Sequence, residues 1–310
     1  MVRGKLASRA RRYLRRQNKK LFRSTRNLFL RAGLDLRRTS LRSLPADSPF
    51  FQATPSLSGT EQAKHCLVIL LSGVELESLA RNFLESLRSV RDTAPVLCYT
   101  FPSSLELAEQ LRSEYKMEIV ILSENESSNQ GHYSSFGSES FNRLTNMKWD
   151  ALLDAFTRGY EVVVYSDVDL VFIRGYADFI QASAKVYSCG LQSEARNVYP
   201  PQYCTGFMYF TREAIPLLNY ARSTAAANNF RENDQVLFNE IVASNPVLLA
   251  QIHLLPEAVF MNGMQFSAFT GPRHEVQVHQ TEPILFHANY VAGATNKEVL
   301  LRDAGLWSKS

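Results

Sequence analysis

Two aspartates stand one residue apart in the otherwise apolar run Val162-Val163-Val164-Tyr165-Ser166-Asp167-Val168-Asp169-Leu170-Val171-Phe172-Ile173. Unpaired carboxylates that close repel each other and resist removal from water, so something must compensate them. A divalent cation is the simplest compensator. Mg²⁺ or Mn²⁺ takes oxygen ligands and leaves positions open for phosphate oxygens. The β-branched run predicts a strand buried on both faces of an α/β sheet, with the Asp167 and Asp169 side chains on one face. Taken alone, the tripeptide also fits a turn capped by two aspartates.

The elements around it alternate. Apolar runs at 66–72, 96–101 and 118–123 read as strands, and amphipathic stretches at 75–90 and 103–115 as helices. A longer helix is expected over 141–160, ended by Gly159 as a C-terminal cap and leading directly into the aspartate-bearing strand. Further strands are expected at 185–192, 205–210, 251–256 and 284–290, with helices at 213–226 and 233–243. The alternation over 66–123 implies parallel strands with helices on both faces and ligands at the strands' carboxyl ends, and the looser pattern after the aspartates goes with a mixed central sheet.

The 310 residues are 45% hydrophobic and 11% aromatic, enough to bury the core of one large domain. Charge divides them unevenly. Of 34 basic and 30 acidic residues, 15 and 1 fall in 1–44, leaving 19 against 29 in an acidic body. Leu6, Tyr13, Leu14, Leu21, Phe22, Leu28, Phe29 and Leu30 recur among the arginines at roughly helical spacing, so 1–44 reads as a basic amphipathic or disordered tail. Such a tail can meet an anionic membrane surface or serve in targeting. Residues 45–61 read as a linker and 62–310 as a single mixed α/β domain. No stretch approaches the ~18 consecutive apolar residues of a membrane-spanning helix. Cys66, Cys98, Cys189 and Cys204 lack metal-type spacing and are expected as buried free thiols. Asn125 begins an Asn-Glu-Ser sequon.

The run "GYEVVVYSDVDLVFIRG" resembles the Asp-X-Asp region of metal-dependent nucleotide-sugar glycosyltransferases of the GT-A, Rossmann-like fold, closest to glycosyltransferase family 77 with its plant cell-wall xylosyl- and arabinosyltransferases. "FNRLTNMKWDALLDAFTRGY", "TGFMYF", "NDQVLFN", "FMNGMQF" and "HANYVAGATNKEVLLRDAGLW" follow the same family's order. The resemblance implies Asp167, Asp169 and His287 as ligands of Mn²⁺ or Mg²⁺, with Asp167 also holding the nucleotide ribose. It implies Gly293 and Lys297 at the diphosphate, Lys148 facing the donor, Asn262 in the site wall, and Asp234 and Gln235 beside the donor sugar. The expected activity is retaining transfer of a pentose or hexose from a UDP-sugar to a glycan or glycoprotein hydroxyl. A Golgi lumenal or membrane location is expected by resemblance, with an organellar or soluble one open because no anchor is visible. Without the family context, His287 reads as a core histidine, Lys148 as a solvent-facing lysine and Asp234 as a helix N-terminal acid.

Cys204 stands where the family has Asn, and a thiol is a weak hydrogen-bonding partner for a sugar. This departure keeps open a nucleotide-sugar or glycan-binding protein without turnover. A haloacid-dehalogenase-type phosphatase would also carry Asp-X-Asp, but it needs a later Asp-Asp pair, and the chain contains none. No zinc or helix-turn-helix signature accompanies the basic tail, so no specific nucleic-acid partner is expected.

Overall fold

The computed structural model describes residues 63–122, 137–194, 199–263 and 283–308. The basic tail, the linker and the sequon at Asn125 lie outside them.

β1 (His65–Leu71), β2 (Val96–Thr100), β3 (Glu118–Ile121) and β4 (Val162–Ser166) form the parallel half of a seven-stranded sheet. β6 (Cys189–Ser193), β7 (Tyr203–Thr211) and β8 (Ile252–Leu255) complete it in the order β3-β2-β1-β4-β7-β6-β8. The sheet is mixed because β7 runs antiparallel to both β4 and β6. A second sheet, ordered β5-β10-β9, joins β5 (Leu170–Phe172), β10 (Leu285–His287) and β9 (Phe260–Asn262).

Alternation along the strands builds a core on each face. Leu67, Ile69 and Leu71 of β1 pack with Val162 and Val164 against α1 (Glu77–Ser89) and α2 (Leu105–Tyr115). Cys66, Val68 and Leu70 point the other way, toward Trp149 and Leu152. All four cysteines are buried free thiols, as expected.

The helix expected over 141–160 is two helices, α3 (Glu139–Asn146) and α4 (Lys148–Thr157). Asn146 accounts for the break. Its amide donates to Asn142 O at 2.8 Å and Glu232 O at 2.9 Å, and its carbonyl accepts from Trp149 Nε1 at 3.0 Å. Side-chain bonds to nearby backbone compete with helix continuation. Gly159 ends α4 with φ +90°, the left-handed conformation a glycine adopts without strain. The helix expected at 213–226 is α6 (Ile215–Ala227), with Pro216 in its first turn, and α5 (Ala177–Ala184) precedes it. α7 (Asp234–Ala243) is capped by Asn233, and α8 (Pro246–Gln251) and α9 (Ala294–Asp303) follow. Among the described residues no helix is long and apolar enough to cross a membrane.

Phe207 of β7 joins the two sheets. It is fully buried, and its ring lies 5.5 Å from Phe260, 6.0 Å from Phe172 and 6.1 Å from Tyr176. Phe207→Ala should lower unfolding stability by about 3–5 kcal/mol. Urea denaturation of the full chain measures this, and a loss below about 1 kcal/mol would mean that the ring is not a principal tie between the sheets.

Candidate metal centre and donor site

β4 ends at Ser166, and Asp167-Val168-Asp169 forms the turn into β5. The expectation of two carboxylates on one strand face is therefore corrected. Asp167 N still donates to Gly206 O at 2.8 Å, one residue beyond the last β4–β7 pair, before the chain turns. The turn still brings both carboxylates to one side. Asp167 Oδ1 accepts from the Tyr165 hydroxyl at 2.8 Å, while Asp169 is buried.

His287 reaches the turn through the small sheet. β10 pairs with β5 and β9 so that His287 stands opposite Leu170 on one side and Asn262 on the other. Ala288 N donates to Asp169 O at 3.0 Å, which fixes β10 against the turn. His287 Nε2 lies 3.2 Å from Asp169 Oδ1, and ligand atoms of Asp167, Asp169 and His287 all lie within 4.8 Å of one another. Asp169 Oδ1 is buried with no hydrogen-bond partner. An orphaned carboxylate oxygen, a second carboxylate and an imidazole fit a Mn²⁺- or Mg²⁺-sized ion.

Gly206 makes this convergence sterically feasible. A Cβ there would stand 2.2 Å from His287 Cε1 and 2.9 Å from Asp167 Oδ2.

Two lysines balance the acids. Gly293, at φ +87°, turns the chain into α9, and Lys297 Nζ reaches Asp169 Oδ2 at 2.5 Å. Burial pushes the Asp169 carboxyl up, but the Lys297 ammonium and the His287 ring outweigh it and hold the group well below the usual carboxylate range. Lys148, first residue of α4, is buried rather than solvent-facing. Its Nζ lies 2.6 Å from Asp234 Oδ2 and 3.7 Å from Asp167 Oδ1, donates to Thr205 O at 3.3 Å and sits 4.6 Å over the Tyr165 ring. Burial pulls the Lys148 ammonium down in pKa, yet Asp167 and Asp234 raise it overall. Asp234 opens α7 and is itself buried.

Gln235, next along α7, accepts from Thr205 N at 3.4 Å. Beside it lies Glu194, whose carboxyl is pushed up by burial against the field of His287 and hydrogen bonds from Cys204, Gln235 and Tyr290. Asn289 Nδ2 donates to Glu194 Oε2 at 3.2 Å, and its Oδ1 accepts from Gly263 N at 2.7 Å. Cys204 Sγ lies 3.6 Å from His287 Nδ1. Asn262 donates to Ser193 O at 2.7 Å and so ties β9 to the end of β6.

All nine expected site residues lie at or beside the turn's end of the two sheets. Gly206, Gln192, Glu194 and Asn289 escaped the sequence reading. Glycine in a strand was the available signal for Gly206, since it often marks close approach of another group.

The chain belongs to the nucleotide-diphospho-sugar transferase family, whose sequence model matches residues 106–301. It is 26% identical over 196 residues to the Arabidopsis thaliana protein UDP-D-xylose:L-fucose alpha-1,3-D-xylosyltransferase 3, a match covering 56% of this chain. The chain spans about half the length of that relative, 49%. Among solved structures, mouse xyloside xylosyltransferase 1 is 16% identical with a TM-score of 0.49, covering 73% of this chain and 97% of that one. A glycosyltransferase involved in the glycosylation of the major capsid of PBCV-1 is 14% identical with a TM-score of 0.46, covering 76% and 98%.

Lys148→Met would leave the buried Asp234 carboxylate without its cation. Breaking a buried pair on one side costs about 3–5 kcal/mol, so the urea midpoint should fall accordingly, and adding Asp234→Asn should recover part of the loss. If the double variant is no more stable than Lys148→Met, the pair is not what holds these groups.

Proposed function

We propose that this chain is a metal-dependent, retaining glycosyltransferase of the GT-A type, moving a pentose or hexose from a UDP-sugar to a hydroxyl of a glycan or glycoprotein. The convergence of Asp167, Asp169 and His287 on one point, in a chain of the nucleotide-diphospho-sugar transferase family, carries this reading. The three side chains would hold Mn²⁺ or Mg²⁺, which supplies Lewis-acid neutralisation of the diphosphate leaving group.

The chain's own residues do the rest. Lys297, in the first turns of α9, brings a positive charge to the diphosphate where the helix N-terminus also favours anions. Gly293 permits the close backbone turn that precedes it. Asp234, paired with Lys148, would stabilise positive charge developing on the sugar ring, and Gln235 would offer an amide to its hydroxyls. Asn262 shapes the wall behind His287.

The Arabidopsis relative's name specifies a UDP-xylose donor and a fucose acceptor for that protein. UDP-xylose accordingly heads the donors to be tried here. A Golgi-type lumenal setting accords with that chemistry, and the basic tail is read as a contact for an anionic membrane surface.

The test is hydrolysis of UDP-xylose, UDP-galactose, UDP-arabinose and UDP-glucose by the full chain with Mn²⁺, beside Asp169→Asn. One donor should be hydrolysed, and the variant should be slower by more than about 100-fold, equivalent to about 2.7 kcal/mol of transition-state stabilisation. Calorimetric binding of UDP with Mn²⁺ but no turnover, even with acceptors present, would favour the binding-protein reading. Absence of both turnover and binding would sink the nucleotide-sugar assignment.

A further inference from the structure

Gln192, next to last in β6, lies beside the candidate metal centre and is wholly buried. Its Nε2 lies 2.7 Å from Met261 O and 3.1 Å from Phe260 O, and its Oε1 lies 2.9 Å from His287 Nδ1. The amide has only one workable orientation. Turned over, its carbonyl oxygen would face two backbone carbonyls at those distances, and no proton would stand between any of the three oxygens. With Nε2 donating to both carbonyls, Oε1 is an acceptor, so His287 Nδ1 must carry a proton. Cys204 Sγ, at 3.6 Å, is the other neighbour of Nδ1 and the more distant one.

A doubly protonated ring would donate to both Gln192 Oε1 and Asp169 Oδ1 and leave no lone pair for a cation, whereas the neutral, ligating ring has one proton. With that proton on Nδ1, the Nε2 lone pair faces Asp169 Oδ1, 3.2 Å away, where two electron-rich atoms meet with nothing between them. In the opposite tautomer, Nε2–H would satisfy Asp169 Oδ1, and the ring's remaining lone pair, on Nδ1, would face Gln192 rather than the two aspartates.

We infer that Gln192 is a positioning residue that locks His287 in its Nδ1–H tautomer and so aims the Nε2 lone pair at a cation between Asp167 and Asp169. It acts through His287 and touches neither cation nor substrate. The placement of the cation rests on the function proposed above, whereas the tautomer does not. The bulge between Leu191 and Gln192 shifts the β6–β7 register so that Gln192 stands opposite Cys204. Bulges commonly redirect a side chain in this way.

Two variants separate positioning from support. Gln192→Met removes both functions of the amide, while Gln192→Glu keeps an acceptor for Nδ1–H and removes the donors to Phe260 O and Met261 O. Both should unfold at lower urea concentration. Only Gln192→Met should weaken Mn²⁺ binding, by about 10–100-fold, when free Mn²⁺ is read by electron paramagnetic resonance without nucleotide. Long-range ¹H–¹⁵N spectra of metal-free protein at about pH 8.5, where an ordinary imidazole is neutral, should show His287 as the Nδ1–H tautomer in the wild type and Gln192→Glu but not in Gln192→Met. An Nε2–H signal in the wild type, or equal losses of Mn²⁺ affinity in the two variants, would overturn the inference. The Nδ1–H tautomer in a wild type that binds no Mn²⁺ would uphold the lock on the ring and reject the metal reading of the site.

Discussion

Three carboxylates, Asp167, Asp169 and Asp234, must sit within reach of one another at the end of an apolar sheet, and their mutual repulsion governs what surrounds them. Lys148 lies 2.6 Å from Asp234 Oδ2 and 3.7 Å from Asp167 Oδ1, so one ammonium serves two acids. Lys297 serves the third, with His287 beside it. These compensators come from α4, α9 and β10, far apart in the chain, and the fold has to deliver all three. Buried ion pairs add little net stability over apolar packing, because desolvation offsets much of their attraction. A chain that keeps such a group therefore gains chiefly a fixed arrangement of charge.

Much of this was legible in the sequence, for identifiable reasons. The β-branched runs that became β1, β2 and β4 are buried on both faces, and such strands read as continuous apolar segments. Asp167 and Asp169 stand out as two carboxylates in an apolar run, whereas His287 and Lys297 are singled out only by an order of motifs that resembles a family. Alternation could not show that β4 ends at Ser166, because apolar residues resume at Leu170 and continue the run to Ile173. Periodicity likewise missed the break at Met147, where Asn146 forms tertiary hydrogen bonds. Lys148 could be placed inside only once Asp167 and Asp234 were known to flank it, because a lysine's long stem suits either side of a surface.

Cys204 departs from the family pattern at a position beside His287. Burial and the neighbouring Glu194 push the thiol well above its ordinary pKa. Its Sγ lies 3.6 Å from His287 Nδ1, on the side of the ring away from the Nε2 that meets Asp169, so the converging set is two carboxylates and one imidazole. Hydrogen bonding on that side falls to Asn289 and Glu194, 3.2 Å apart, which supply one oriented amide and one carboxylate beside Gln235.

The small sheet links stability to chemistry. His287 is held in the three-residue strand β10, between β5 and β9, and so short a strand has little strength of its own. Its position derives from Phe207, which packs on Phe260 and Phe172 of its two neighbours, and from the contact of Ala288 N with Asp169 O. Phe207 directly follows Gly206, the glycine that admits the His287 ring. One step along β7 thus passes from the residue that ties the sheets together to the one that leaves room for the ligand. Displacement of β7 relative to the small sheet would disturb the approach of His287 to Asp167, so the packing of these aromatic rings sets how closely Asp167, Asp169 and His287 can meet.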